Sequence, residues 1–178
     1  MAFADEFNVI GGEVSDTVEE VVIPDLTSVK REMDLIPPTK DVKFIIKSAS
    51  VKASKDNTYR QINLQLNIVD GIQVGELLKY KNKPMFQTVC YYADPQKYTK
   101  EYFQKKQHLV QLKMLCRALG EDLASIRIND GYLMSLSGKE ILGTIKQAKK
   151  KDWTNKSGEL VVGEMENQVL DFKKSELI

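Results

Sequence analysis

Tyr59-Arg60-Gln61-Ile62-Asn63-Leu64-Gln65-Leu66-Asn67-Ile68 is the stretch on which the fold turns. Ile62, Leu64, Leu66 and Ile68 alternate with Gln61, Asn63, Gln65 and Asn67, and successive side chains of a strand point to opposite faces. The spacing predicts a strand with one apolar face for a core and one face of amides, with Tyr59 on the amide side. Asp70-Gly71 ends it, and Lys55-Asp56-Asn57 before it supplies residues that tolerate left-handed backbone. Working outward, residues 42–53 (VKFIIKSASVKA) read as a preceding strand, β-branched and partly alternating. Residues 84–92 (PMFQTVCYY) read as a following strand, after the basic segment Lys79-Tyr80-Lys81-Asn82-Lys83.

Residues 96–119 change to helical spacing. Tyr98, Tyr102, Leu109, Leu112, Cys116 and Leu119 recur at three, four or seven residues, and Gly120 stands where a helix ends. A short helical turn is expected over Asp130–Ser135, then strands over 140–149 and 159–172 joined by the polar loop 150–158. Three strands, one long helix and a two-strand hairpin give the order of an oligonucleotide-binding (OB) barrel. The fold class expected is thus mainly β: a five-stranded OB-type barrel with one long helix between strands 3 and 4. An immunoglobulin-like sandwich would need about seven strands, and a doubly wound fold would alternate strand and helix throughout. No repeat of solenoid or propeller period is visible.

Residues 1–39 form a separate acidic N-terminal arm in this reading, partly disordered or docked, ahead of a domain spanning 40–178. Pro24 breaks Val21-Val22-Ile23, Pro37-Pro38 closes the arm, and a short helix fits residues 26–34 with Thr27 or Ser28 as its N-cap. Residues 1–28 hold seven acids and neither Lys nor Arg. The chain's net charge of +1 therefore conceals a body, residues 29–178, with 26 basic against 18 acidic side chains, or +8. Such a body attracts polyanions. The arm has the charge to compete for the same surface, or serves only to keep that terminus solvated.

The apolar share of 42% is enough for a packed core. No apolar run nears the ~20 residues of a membrane span. The opening MAFADEFNVIGG carries acids where a secretory signal carries basic residues, so a cytoplasmic location is expected. Cys90 and Cys116 read as buried thiols in a reducing compartment.

Signs of catalysis are sparse. His108 is the one histidine, eight residues from Cys116 and without a second ligand pair. Ser137-Gly138-Lys139 lacks the upstream glycine and the following Ser or Thr of a phosphate loop. Glu121-Asp122 and Asp130 have no partner base. A non-enzyme is expected, with no catalytic residue, metal ligand or cofactor, although a metal-dependent nuclease built from converging carboxylates is a third reading.

The binding residues form a better set. An OB barrel uses the face of strands 2 and 3, flanked by the loops after strands 1 and 4. The first loop brings Lys52 and Lys55; the second brings Lys149, Lys150, Lys151, Lys156 and the single tryptophan, Trp153. Between them runs Tyr59, Gln61, Asn63 and Gln65, and Lys79, Tyr80 and Lys81 border the third strand. Cations beside aromatic faces and amides suit single-stranded nucleic acid, whose phosphates track charge and whose bases stack. Duplex readout would favour an Arg-rich helix, and arginines are few. Duller roles exist for each member: Trp153 as a lid, Tyr59 and Tyr80 as rings packed across strands, the lysines as a solvated strand end, Phe86, Tyr91 and Tyr92 as core, and Met114, Tyr98 and Tyr102 as core on the helix.

Leu136-Ser137-Gly138-Lys139-Glu140, a basic strand, a Lys/Asn/Gly loop and Glu166-Asn167-Gln168-Val169 follow one another in an order with a likeness elsewhere. Over residues 40–172 the chain resembles small bacteriophage OB-fold single-stranded DNA-binding proteins. The resemblance implies a protein that coats exposed single strands, DNA or RNA, during replication or recombination in the host cytoplasm. It also implies that Lys146, Lys149, Trp153 and Lys156 line the cleft with Tyr59 and Gln61. Such proteins commonly end in an acidic tail that recruits partners, whereas this chain ends Lys173-Lys174-Ser175-Glu176-Leu177-Ile178 and is acidic at its start. Replication or recombination proteins would then be met through residues 1–28. The alternative is an assembly module that uses the barrel as scaffold and docks the acidic arm on a partner.

Overall fold

The structure is a computed structural model, and it describes residues 35–175. Residues 1–34 of the acidic arm, with the short helix read at 26–34, lie outside the described residues, while Ile36, near the end of that arm, is buried in the core. Among the described residues nine strands and three short α-helices follow in order. They are β1 (Thr39–Ala53), β2 (Tyr59–Ile68), β3 (Ile72–Val74), β4 (Leu77–Lys79), β5 (Pro84–Ala93), α1 (Glu101–Gln104), α2 (Val110–Ala118), α3 (Asp130–Leu136), β6 (Glu140–Lys149), β7 (Trp153–Thr154), β8 (Leu160–Val161) and β9 (Met165–Lys174). The protein is mainly β. No helix among the described residues is long and apolar enough to cross a membrane.

Five long strands form one antiparallel sheet in the order β5-β2-β1-β6-β9. β1 serves two neighbours in turn. Its first part, Thr39 to Ile45, pairs with β6, and Phe44 onward pairs with β2. A register shift between Ile46 and Ser48 sets Lys47 apart as an extra residue, the kind of bulge that bends and twists a strand. The sheet curves around Phe44, Ile46, Ile62, Leu64, Leu66, Ile68, Ile141, Ile145 and Val169, all fully buried. The four apolar residues read from β2 are the middle of this core, and α2 and α3 complete it with Leu115, Ala118, Leu133 and Leu136. Asn129 starts α3 as a capping residue, its Oδ1 accepting the Tyr132 N–H at 2.9 Å.

The sheet does not close. β5 and β9 are its two edges, and no ladder joins them. Instead the Val169 N–H donates to Gln87 Oε1 on β5 at 2.8 Å, and the Asp171 N–H donates to Gln111 Oε1 on α2 at 3.2 Å. Side-chain amides thus take the place of a fifth ladder along β9, an unusual way of satisfying an edge. At its start β9 holds the incoming chain: Asn167 accepts from the Ile36 N–H at 2.8 Å and donates back to the Ile36 carbonyl at 2.7 Å.

Strands read at 42–53, 59–68, 84–92 and 140–149 stand nearly where the alternation put them. The single long helix over 96–119 does not form. Residues 101–118 hold α1, a 3₁₀ turn over Gln107–Leu109, and α2. The break is Lys106, at φ 56°, a left-handed conformation costing a non-glycine residue about 1–2 kcal/mol. Packing supplies the compensation, because the kink brings the Phe103 and His108 rings together with centroids 5.2 Å apart. A small hairpin of β7 on β8 spans part of the expected loop 150–158 and the start of the strand read at 159–172, which is interrupted before β9, and a second hairpin, β3 on β4, fills the connection between β2 and β5.

Gly143 lies on β6 under the core. A Cβ added there would stand 2.7 Å from Val169 Cγ1 and 3.2 Å from a Phe44 ring carbon. Gly143→Ala is expected to lower unfolding free energy by about 1–3 kcal/mol, the usual cost of overpacking. Urea denaturation followed by far-UV circular dichroism measures it; an unchanged midpoint would mean that β6 and β9 are less tightly apposed.

Candidate functional site

The outward faces of β1, β2 and β5 make one continuous surface, and the ladder registers arrange it in cross-strand rows. Lys52, Gln61 and Cys90 form one row; Ser50, Asn63 and Thr88 the next; Ser48, Gln65 and Phe86 the third. The Ser48 hydroxyl donates to Gln65 Oε1 at 3.3 Å. Phe86 is 63% exposed in this polar setting. The sequence reading placed Phe86, Tyr91 and Tyr92 in the core. That is wrong for Phe86 and for Tyr92, which is also exposed, while Tyr91 is half-buried. The missed signal was the alternation of β5, in which Met85 and Val89 turn inward and Phe86 and Thr88 therefore turn outward.

At one end of the face a knot of polar groups ties the β1–β2 turn to the segment after β5. Asp56 accepts from the hydroxyls of Ser54 at 2.7 Å and Thr58 at 2.8 Å, and it pairs with Lys97. The Lys97 ammonium first, then the two hydroxyls, hold its carboxyl far below the usual carboxylate range. The knot seats Tyr98 against Tyr59, ring centroids 5.8 Å apart, and a chain of rings continues through Phe103 to Tyr102 and His108. The Cys90 thiol donates to the Tyr92 carbonyl at 3.5 Å, and burial, the largest cause for each, pushes both this thiol and the Tyr59 phenol up. Tyr59 is therefore a packed residue of the face and not a free ring upon it. Tyr102, read as core, is exposed, whereas Tyr98 and Met114 are half-buried. Lys52 and Lys55 are exposed beside the turn.

The opposite end carries both small hairpins, since each leaves the sheet where β1 begins. Lys79 and Lys81 are exposed there. Tyr80 between them adopts φ 64° and lies under the Lys83 ammonium, 4.9 Å from the ring centroid. On the other hairpin Trp153 is 58% exposed, which does not fit a lid packed on the sheet. Asn155 shapes that hairpin's tip, its Oδ1 accepting the N–H groups of Ser157 and Glu159, both at 2.9 Å. Lys151 and Lys156 project from it.

The lysines divide by electrostatic state. Lys146 pairs with Asp171 at 3.0 Å, Lys149 with Asp152 at 3.1 Å and Lys150 with Glu166 at 3.4 Å. Lys52, Lys55, Lys79, Lys81, Lys151 and Lys156 make no ion pair among the described residues. These six can meet an anion without first giving up a carboxylate. The pairs at 146 and 149 are exposed and weak, so a phosphate could exchange for their partners at small cost. The face and its two ends bring together Gln61, Phe86 and these cations, while Tyr59 is committed to the aromatic cluster.

Cys90 and Cys116 are both buried and free. Among the described residues no group of three or more His, Cys, Asp or Glu side chains could hold a metal ion. No protein-family model matches the chain, and no curated protein matches its sequence.

His108 packs within the aromatic cluster, and its Nδ1 is enclosed with no hydrogen-bond partner among the described residues. Burial holds the imidazole below its ordinary value. The unfolded chain therefore binds the proton more readily than the folded one, so stability is complete above about pH 6.5 and declines as pH falls below it. As the chain's single histidine, His108 should account for this slope down to about pH 5.5, above the range where carboxylates titrate. His108→Phe is expected to flatten it in denaturation curves across that range; an unaltered slope would mean that the imidazole titrates alike in both states.

Proposed function

We propose that this protein binds single-stranded nucleic acid, DNA foremost, without sequence preference and without catalysis, across the outer face of β1, β2 and β5. The observation that carries the reading is Phe86. An exposed ring costs free energy in water, and this one stands among serine, threonine and amide side chains between two sets of unpaired lysines. A base stacked on it would shield the ring, the amides would meet base edges in several ways, and the lysines would follow the phosphates. The finer fold reading belongs with this function: the five long strands are an OB-type barrel left open between β5 and β9, bound on the face formed by its second and third long strands. In that role the protein coats single strands exposed in replication or recombination, as the resemblance to phage proteins implies.

A second reading, an assembly module that holds a protein partner, draws support from a different observation. Leu77 and Leu78 on one hairpin and Leu160 and Val162 on the other are all strongly exposed. Retention of a protein partner on these hairpins after nuclease treatment would favour it.

Filter binding and Trp153 fluorescence with oligothymidine and matched duplex, across a salt series, test the first reading. Single strands should bind preferentially and quench Trp153. The slope of log affinity against log salt should be about −2 to −4, the value for three to six phosphate contacts on a single strand. Phe86→Ala should cost about 1–3 kcal/mol of binding while leaving the melting temperature nearly unchanged, because the ring is exposed. Equal affinity for duplex, or no complex at low salt, would reject the proposal.

A further inference from the structure

Beyond the face lies a slot of about 260 Å³ between the end of β5 and the kinked segment over residues 101–109. One wall is Tyr91 and Tyr92; the other is Phe103, Gln104, Lys106 and His108. Its volume is just below that of drug-sized sites, and four of these six residues are planar rings. The Phe103 ring is held in place by Tyr98 at 4.8 Å, Tyr102 at 5.1 Å and His108 at 5.2 Å. Tyr92 is braced by Arg60, whose guanidinium lies 5.4 Å from its ring centroid. Both walls are thus preset.

The polar groups at the slot are equally selective. Gln104 Nε2 donates to the Tyr98 carbonyl at 3.2 Å, which leaves its Oε1 to accept from a ligand. The segment 94–109 carries four lysines against two acids. Lys97 and Lys105 are paired, whereas Lys100 and Lys106 make no ion pair among the described residues. Lys106 bears the left-handed kink at the rim, and strain of this kind gathers at functional positions. Rings, one acceptor and an unpaired cation together match a flat heterocycle that offers an N–H edge and carries an anionic group.

We propose that this slot takes one unstacked nucleobase of the bound strand, with Tyr92 and Phe103 against the base and Lys106 toward the adjoining phosphate. The inference rests on the strand-binding reading and extends it from a flat face to a discrete base subsite. The register shift between Arg60 and Gln61 sets Tyr92 opposite Arg60, on the other side of β5 from Phe86 and Thr88. The rings of Tyr59, Tyr98 and Phe103 join the outer face to the slot. A strand leaving the face would round the end of β5 past Tyr98 to enter the slot, where stacking on a neighbouring base gives way to stacking on side chains.

The single histidine makes the slot readable by NMR. Thymidine 5′-monophosphate and, separately, oligothymidine are titrated into the full chain, with His108 ring resonances reporting the slot and Trp153 fluorescence reporting the face. Both probes should shift His108 saturably. Tyr92→Ala should weaken oligothymidine binding about 10-fold, the loss of one stacked base. Lys106→Gly suits the backbone at that position and should make the salt slope shallower by about 0.7, one phosphate contact. If oligothymidine quenches Trp153 while His108 stays still, the slot is not a base subsite and the strand-binding reading stands. If neither reporter moves, both readings fall. If the mononucleotide moves His108 but no oligomer binds, the slot is a site for free nucleotides and the assignment to a bound strand is overturned.

Discussion

β1 is the constraint from which the rest of the structure follows. It must hydrogen-bond β6 with its first part and β2 with its second, and only Phe44 and Ile45 belong to both ladders. A flat strand of fifteen residues could serve both neighbours along its whole length, and the sheet would then be planar. The extra residue at Lys47 prevents this by bending the strand. Curvature encloses the core around Phe44, and the same curvature turns one polar surface outward over β1, β2 and β5. Core and candidate interface are therefore two sides of one bend.

Much of this was legible in the chain because alternation is local and its consequence is binary. Ile62, Leu64, Leu66 and Ile68 could face only one way, and their polar neighbours only the other. What could not be read depends on contacts distant in sequence. Lys106 adopts a conformation that residue preference disfavours, and it does so for packing between Phe103 and His108. Helical spacing survives such a break, so the pattern over 96–119 looked continuous. The hairpins β3–β4 and β7–β8 are two- and three-residue strands, too short for any period to emerge.

Phe86 shows a different limit. An aromatic residue in a strand is assigned to the core by its chemistry and to one face by its position, and here the two disagreed. Position won. A large apolar side chain on the wrong side of an otherwise regular strand is a local conflict of the sort that natural chains keep at functional sites. The converse holds at Tyr59, where position suggested an open ring and Tyr98 had already taken it. Lys146 and Lys149 enter through the resemblance, which says nothing of their neighbours, and only the fold reveals the aspartates beside them.

The seam between β5 and β9 gives the molecule a place to breathe. One side-chain amide, that of Gln87, crosses it, and Gln111 on α2 takes a second β9 N–H, where a ladder would have needed a whole row of backbone bonds. Each such bond contributes about 1 kcal/mol net, while Val169 and Phe172 are buried in the shared core, so this edge is held more by packing than by backbone hydrogen bonds. Deuterium should therefore enter at the amides of Val169 and Asp171 well before it reaches β2, whose backbone is paired on both sides. The curved sheet has a stiff spine and a compliant lip. Asn167 ties the start of β9 to Ile36, so the lip is anchored at that end.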